Sequence, residues 1–326
     1  MKDQYGREIT YLRLSVTDLC NLRCVYCMPE RGVEKLSHSD ILSVEEIGEL
    51  AQAAAELGIT KLRLTGGEPL VRHGILDICR LVAQTSGIAE TCLTTNGTLL
   101  TKSASASLNY AEALRECGVS RLNISLDTLD PERYAKLTRG GELKTALDGI
   151  EAARAAGFAD IKINTVLISG VNEAEIRKLV ELTRGTETRG ELHVRFIEMM
   201  PIGEAAEWAS ERFLENSAVL RAVTELAPVG LDGVARLYRL PGATGTVGLI
   251  SPISSHFCPD CNRVRVTSDG KLKPCLHSAD EIPLRGLHGD DLLQAMRAAI
   301  FGKPQRHALG GKAISKSTRS MNAIGG

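Results

Sequence analysis

Three cysteines stand at Cys20, Cys24 and Cys27 in TDLCNLRCVYCMPE, a C-x3-C-x2-C spacing, and three more at Cys258, Cys261 and Cys275 in FCPDCNRVRVTSDGKLKPC. Three thiolates within one short loop converge on a single centre only if the segment wraps around it. A set of three suits a [4Fe–4S] cube with one iron left open to a ligand. Structural zinc wants a fourth ligand, and the first loop has none close by, although His38 could supply one. The second set reads the same way, as a second cube with a free iron, although His256 or His277 would complete a Cys3His zinc site there. Cys79, Cys92 and Cys117 lack partner spacing, sit in apolar contexts and read as small core residues.

Polar residues form the second chemical pattern. Segments of alternating hydrophobicity recur as YLRLSV (11–16), KLRLT (61–65), TCLTTN (91–96), RLNISL (121–126), IKINTVL (161–167) and LHVRFI (192–197). In a strand, alternate residues share a face. Arg13 therefore sits with Ser15, Arg63 with Lys61 and Thr65, Thr94 with Asn96, Asn123 with Ser125, Lys162 with Asn164, and Arg195 with His193. If the apolar faces pack on helices, the strands present a polar, cation-rich face to the inside. Charges there need an anionic partner. Internal Asp and Glu would serve, but the preferred reading is a lumen that holds a polar, negatively charged ligand.

Helix-like stretches lie between most of these strands, the clearest beginning at Ser43 with Glu46 as capping-box partner and Gly58 as stop. From the second strand on, starts fall about 30 to 40 residues apart, the length of a strand–helix unit. The fold class is thus α/β, with six parallel strands and helices outside, as a doubly wound sheet or an incomplete barrel. The second strand ends in Gly66-Gly67-Glu68-Pro69, where two glycines let the backbone come close to a ligand. After about residue 200 the rhythm fails. The spacing there predicts one helix near 211–226, then short strands at RVRVTS and KLKPCL joined by an Asp269–Gly270 turn. Two domains follow, 1–205 and 206–326, with a soft boundary at 205–215.

Composition excludes several function classes. The 326 residues carry 39 Lys and Arg against 40 Asp and Glu, a formal charge of −1, and only 4% are aromatic. Neither a basic surplus nor a stacking platform for nucleic acid is present. No apolar run reaches the ~18 residues of a membrane helix, and the polar start MKDQYGREIT is no secretory signal. The expectation is a cytoplasmic protein with reduced thiols. No G-x-G-x-x-G follows a strand and no G-x-x-x-x-G-K-[ST] occurs, which argues against a dehydrogenase or a P-loop NTPase.

The first cysteine spacing, with aromatic Tyr26 before the last cysteine, resembles that of the radical S-adenosylmethionine (SAM) superfamily. With TGGEPL, TTNGTLL, RLNISLDTLD, KINTVLISGVN, RFIEMMPIG, CNRVRVTSDGKLKPCLH and the terminal Gly325–Gly326, the chain resembles the molybdenum cofactor biosynthesis protein A family of GTP 3′,8-cyclases from about residue 5 to the end. The stretches near 101–110 and 185–191 look longer than usual. The resemblance implies a partial (β/α)6 barrel closed by a smaller C-terminal domain. It implies that Cys20, Cys24 and Cys27 hold a SAM-binding [4Fe–4S] cluster, and Cys258, Cys261 and Cys275 a substrate-binding one. It further implies that Tyr26, Gly67, Ser125 and Met200 touch SAM, and that Arg13, Arg63, Thr94, Lys162, Arg263 and Arg265 touch GTP. Arg263, Arg265, Gly325 and Gly326 would serve catalysis, the last two on a tail that reaches into the active site. Arg195 stays open between ligand contact and internal ion pair. The implied chemistry is a 5′-deoxyadenosyl radical that removes the hydrogen at C3′ of GTP, whose C3′ radical attacks guanine C8. The product is 3′,8-cyclo-7,8-dihydro-GTP. Implied partners are an external one-electron reductant and a cyclic pyranopterin monophosphate synthase that takes the product, with a homodimer left open. Alternatives are another twin-cluster radical SAM enzyme, such as a peptide maturase, and a non-catalytic zinc module.

Overall fold

A computed structural model describes residues 1–33, 36–185, 191–307, 309 and 315–325. Six strands, β1 (Tyr11–Ser15), β2 (Lys61–Thr65), β3 (Glu90–Thr95), β4 (Arg121–Ser125), β5 (Asp160–Leu167) and β6 (Glu191–Glu198), pair in parallel and in sequence order. That monotonic order has no reversal point, so of the two α/β arrangements the sequence allowed, the barrel type is present and the doubly wound sheet is not. Between them run α1 (Val44–Glu56), α2 (Ile75–Gln84), α3 (Tyr110–Glu116), α4 (Pro131–Thr138), α5 (Leu143–Ala155) and α6 (Ile176–Glu181). Ser43 and Glu46 form the expected reciprocal cap on α1. Beyond the helix, Gly58 takes a left-handed φ of 83°, which a side chain would resist.

The apolar parity of each strand faces the helices. Leu12, Leu14, Leu62, Leu64, Leu122, Ile124, Ile161 and Ile163 are buried in one cluster with Ile47, Leu50, Ile78, Leu114 and Ile150 of the helices. Each such side chain contributes about 1.5–3 kcal/mol on burial. This layer anchors the strands, and their other face is left for chemistry. Cys79, Cys92 and Cys117 are buried as expected.

The rest of the chain extends the sheet at both edges. After α7 (Ala205–Arg212) and α8 (Ser217–Ala222), the strands β7 (Ala227–Asp232), β8 (Ala235–Arg239) and β9 (Val247–Ile250) add beside β6. β10 (Arg263–Val266), β11 (Lys271–Lys273) and β12 (Ile282–Pro283) add beside β1, so that among the described residues twelve strands form one sheet. The long helix α9 (Gly289–Phe301) packs on α1, and a last turn, α10 (Met321–Ile324), precedes the end. The single helix expected near 211–226 is instead two short ones. Between them Phe213 is extended and pairs with Ile168, which interrupts the helix for a tertiary bridge. The expected β10–β11 hairpin is present, with Gly270 at φ 76° in its turn. The stretch near 101–110 forms a turn in which Asn109 caps α3 through a box with Glu112. Residues 186–190 of the second extended stretch lie outside the described residues. Among the described residues no helix is long and apolar enough to cross a membrane.

Candidate active site

The parallel pairing of β10 with β1 brings a C-terminal strand beside the first strand of the barrel. Its register sets Arg265 opposite Arg13, and the β1–β2 register sets Arg13 opposite Arg63. Three arginines thus stand at one level on three neighbouring strands. They border a cavity of about 390 Å³ that Lys162, Arg195, Arg263 and Met200 also line, together with Cys258, Cys261 and Cys275. The polar parity of the barrel strands therefore does face inward, and the second cysteine set opens onto the same space.

The cations divide by partner. Lys162 and Arg195 both bond Asp232, at the end of β7, and Lys162 lies 2.7 Å from its carboxylate. For Arg195 the structure provides the internal ion pair, in the wall of the cavity. Arg63, Arg263 and Arg265 have no carboxylate within 4.0 Å among the described residues. Arg63, only 2% exposed, donates to the Tyr11 hydroxyl and, at 2.8 Å, to Asn123 Oδ1. Burial pushes the Tyr11 phenol up, but Arg63, Arg13 and Arg263 together outweigh it and bring it down to about 7. Arg263 leaves its Nε buried without a partner. Cations held this way in a polar cavity suit an anion with many acceptor oxygens.

The chain end enters this space. Arg265 donates to the Gly325 carbonyl at 2.6 Å, and Arg13 reaches the same oxygen at 3.4 Å. Asn322 donates to the Asp18 carbonyl at 3.0 Å, which ties the tail to the loop before Cys20. Gly325 has φ 79°, and a Cβ there would lie 2.6 Å from Thr65 Cγ2. A residue without a side chain is required at that point. Gly326 lies outside the described residues.

The first cysteine set lies at the carboxyl ends of the barrel strands. Cys20 accepts from the Leu22 N–H at 3.4 Å and from Asn96 Nδ2 at 3.9 Å. Burial pushes the Cys20 thiol up to about 12, and Glu68 and Cys24 add to the rise. Cys27 is raised too, by its hydrogen bond with Cys24 and by burial, with Asp127 contributing. Thiols this reluctant to ionise alone need a cation to hold them as thiolates. Three reduced thiols, with two N–H groups turned toward the Cys20 sulfur, therefore fit an iron–sulfur cluster. Gly66 and Gly67 explain themselves locally. A Cβ on Gly67 would fall 2.3 Å from the Leu19 carbonyl, and one on Gly66 2.4 Å from that of Thr17, so the turn packs on the backbone leading into Cys20. Glu68 is fully buried and accepts from the Leu70 and Asn96 N–H groups and from Thr95. Tyr26 donates to Asp127, whose other oxygen accepts the Val166 N–H at 2.8 Å. Burial raises the Asp127 carboxyl to about 6. Ser125 is half-buried at the end of β4, and Thr94 receives a 3.4 Å contact from Arg63.

The second set has cationic surroundings. Burial pushes the Cys261 thiol up, but Lys303 and Arg263 outweigh it and hold the thiol below its usual value. Cys258 receives the His307 N–H. The ring nitrogens of His256 and His307 lie within 4.8 Å of Cys258 Sγ, the one such three-ligand group among the described residues. Yet His307 Nδ1 accepts the Leu309 N–H at 3.2 Å, which leaves the proton on Nε2, 3.3 Å from His256 Nδ1. The facing lone pair is thereby engaged in a hydrogen bond within the pair, unlike a zinc-bound histidine, whose free nitrogen normally donates. His277 Nδ1 is 3.2 Å from Ser315 Oγ. Three thiols beside cations and an N–H donor fit a cluster better than zinc.

Tyr11, Asp127, Asp232 and Lys303 escaped the sequence reading. Tyr11 shares the parity of Arg13, and Asp127 that of Ser125, so alternation could have marked both. Asp232 and Lys303 come from irregular segments and carry no such signal.

Known proteins resemble the chain over its full length. Residues 14–183 match the model of the radical SAM superfamily, and residues 192–309 match that described as molybdenum cofactor synthesis C. The GTP 3′,8-cyclase of Alkaliphilus metalliredigens is 49% identical over 331 residues, covering 100% of each chain. That of Alkaliphilus oremlandii is 46% identical over 331 residues, again covering 100% of each. Streptococcus suis SuiB, in a crystal structure bound to the precursor peptide SuiA, superposes with a TM-score of 0.63 at 14% identity, over 91% of this chain and 67% of that one. That likeness speaks for the fold alone, whereas the full-length identities show kinship: the chain belongs to the GTP 3′,8-cyclase family of the radical SAM superfamily.

Proposed function

We propose that the protein is a GTP 3′,8-cyclase of molybdenum cofactor biosynthesis, converting GTP to 3′,8-cyclo-7,8-dihydro-GTP. The observation that carries this reading is the shared cavity, in which the Arg265–Arg13–Arg63 row faces the second cysteine set. Superfamily membership implies a [4Fe–4S] cluster and SAM. Cys20, Cys24 and Cys27 would hold that cluster, which when bound supplies the electron that splits SAM into methionine and a 5′-deoxyadenosyl radical. Cys258, Cys261 and Cys275 would hold a second cluster, with one position left for the substrate.

The protein's own groups position and shield the reactants. Arg13, Arg63, Arg263 and Arg265 offer planar, charge-assisted donors to a triphosphate, with Thr94 and Lys162 adding a hydroxyl and an ammonium. Such an anion would balance Arg63, Arg263 and Arg265, which have no carboxylate within 4.0 Å among the described residues. Tyr26, Gly67, Ser125 and Met200 are the proposed SAM contacts. In this scheme Asp127 holds the Tyr26 ring in place through its hydroxyl. Gly325 and Gly326 would fill space beside the substrate without offering a side-chain hydrogen to the radical. The division into a SAM domain (1–205) and a second-cluster domain (206–326), an external reductant, delivery of product to cyclic pyranopterin monophosphate synthase, and a cytoplasmic setting belong to the same proposal.

Anaerobic incubation of the iron-reconstituted protein with SAM, a reductant and GTP tests it. Formation of 5′-deoxyadenosine together with a cyclised guanosine triphosphate is the expected result. Deoxyadenosine without that product, or protein that binds zinc in place of iron, would refute it.

A further inference from the structure

Lys303 follows α9 and is 2% exposed. A buried ammonium needs its protons paired. Its Nζ donates to the Arg263 carbonyl at 2.9 Å and to the Pro274 carbonyl at 2.7 Å. These two carbonyls flank the cysteine set: Arg263 is two residues past Cys261, and Pro274 directly precedes Cys275. One side chain therefore ties together the segments that carry the second and third cysteines. Lys303 also lines the cavity onto which Cys258, Cys261 and Cys275 open.

A second brace holds the backbone of Lys303. Arg7 donates to the Cys258 carbonyl at 2.9 Å and to those of Lys303, Pro304 and Gln305 at 3.4, 2.7 and 2.9 Å, while its Nε bonds Asp3 at 2.6 Å. Lys303 is thus gripped from the amino-terminal arm and grips the cysteine segments in turn. No carboxylate lies within 4.0 Å of it among the described residues, so its positive charge is left for the thiolates.

We propose that Lys303 is a positioning residue of the second cysteine site: it sets the spacing of Cys261 and Cys275 and supplies the positive charge that favours the reduced form of the cluster bound there. The inference rests on the reading that this site holds an iron–sulfur cluster. A nearby cation stabilises the more negative, reduced cluster and raises its potential, and a donor close to a ligand sulfur acts in the same direction. The effect belongs to the second site, whose segments Lys303 bonds, whereas buried Glu68 and Asp127 stand near the first cysteine set.

The test compares full-length wild type, Lys303→Met and Lys303→Arg after anaerobic reconstitution. It uses iron analysis, a spectroscopically monitored redox titration, and 5′-deoxyadenosine formation without GTP. In Lys303→Met the midpoint of the second cluster should move to lower potential, or that cluster should be missing and the iron content halved. Deoxyadenosine formation at the first cluster should stay within about twofold of wild type. Lys303→Arg keeps the charge and should bring the midpoint back toward wild type. Full iron with an unmoved midpoint in Lys303→Met would overturn the proposal, as would loss of both clusters together in both variants. Wild-type protein with one cluster and zinc at the second site would instead refute the two-cluster reading itself.

Discussion

The two cysteine triads offer the same ligand atoms in different electrostatic settings. Around Cys20, Cys24 and Cys27, Glu68 acts on Cys20 and Asp127 on Cys27, and both thiols are pushed up, Cys20 chiefly by burial and Cys27 by its hydrogen bond with Cys24 and by burial. Arg23 and Arg139 are turned to backbone carbonyls of the loop. Around Cys258, Cys261 and Cys275 stand Lys303 and Arg263 together with His256 and His307; Cys261 is held down against its burial, whereas burial raises Cys258. A cluster at the first triad would sit among groups that disfavour added negative charge, the setting of a strong reductant. A cluster at the second would sit among cations that also attract an anionic substrate. The difference teaches that ligand count alone does not assign a role to a cluster. In the proposed scheme the charged groups beside the sulfurs would separate electron delivery from substrate binding.

Replacing one cysteine in each triad gives the sharpest contrast. Cys24→Ser should reduce 5′-deoxyadenosine formation to background, because SAM cleavage depends on the first triad. Cys261→Ser should keep that cleavage and lose only the cyclised product. Equal loss of both products in both variants, followed by chromatography, would erase the proposed division of labour.

Removing Gly325 and Gly326 should likewise abolish cyclisation while iron analysis still finds both clusters. Gly325→Ala should act in the same direction, since a side chain at positive φ costs about 1–2 kcal/mol before any clash with Thr65 is counted. Wild-type product yield from the truncated protein would show that the tail contact with Arg265 is incidental.

At the second triad, Arg263→Ala or Arg265→Ala should lower kcat/KM for GTP by about 10- to 100-fold, the loss of one charge-assisted contact of about 1.5–3 kcal/mol. GTP-independent SAM cleavage should not follow it. Unchanged GTP turnover would remove these arginines from the substrate site.

The smallest expected effect concerns Tyr11. Its hydroxyl titrates near 7, so above that pH a phenolate stands in the arginine row and offsets one positive charge. KM for GTP should therefore rise a few-fold, on the order of 1 kcal/mol or less, as pH increases through 7. Tyr11→Phe should flatten that rise, and an identical pH profile in both proteins would count against it.

Much of this was legible from local pattern. Alternation in KLRLT and IKINTVL marked Arg63 and Lys162 as inward, and β2 and β5 cover those residues with the leucines and isoleucines buried on the opposite face. The Ser43–Glu46 box was readable because a helix cap is a contact between near neighbours. The helix expected near 211–226 fails for the converse reason. The extended Phe213 answers to Ile168, far away in the chain, and no spacing within the segment reveals that partner. Lys303 was illegible for the same reason, its carbonyl partners being 29 and 40 residues away.

The sequence by itself determined which residues could do chemistry and which face of each strand they occupy, because side-chain period and ligand spacing are properties of short stretches. It also determined kinship, through motifs spread along the whole chain. Only the tertiary structure decided that β10 lies beside β1. That pairing sets Arg265 level with Arg13 and Arg63, opens the second cysteine set onto the barrel lumen, and brings Gly325 to the same arginines. Such neighbours are chosen by the packing of segments some 250 residues apart, and that free energy belongs to the folded whole and to no local stretch of it.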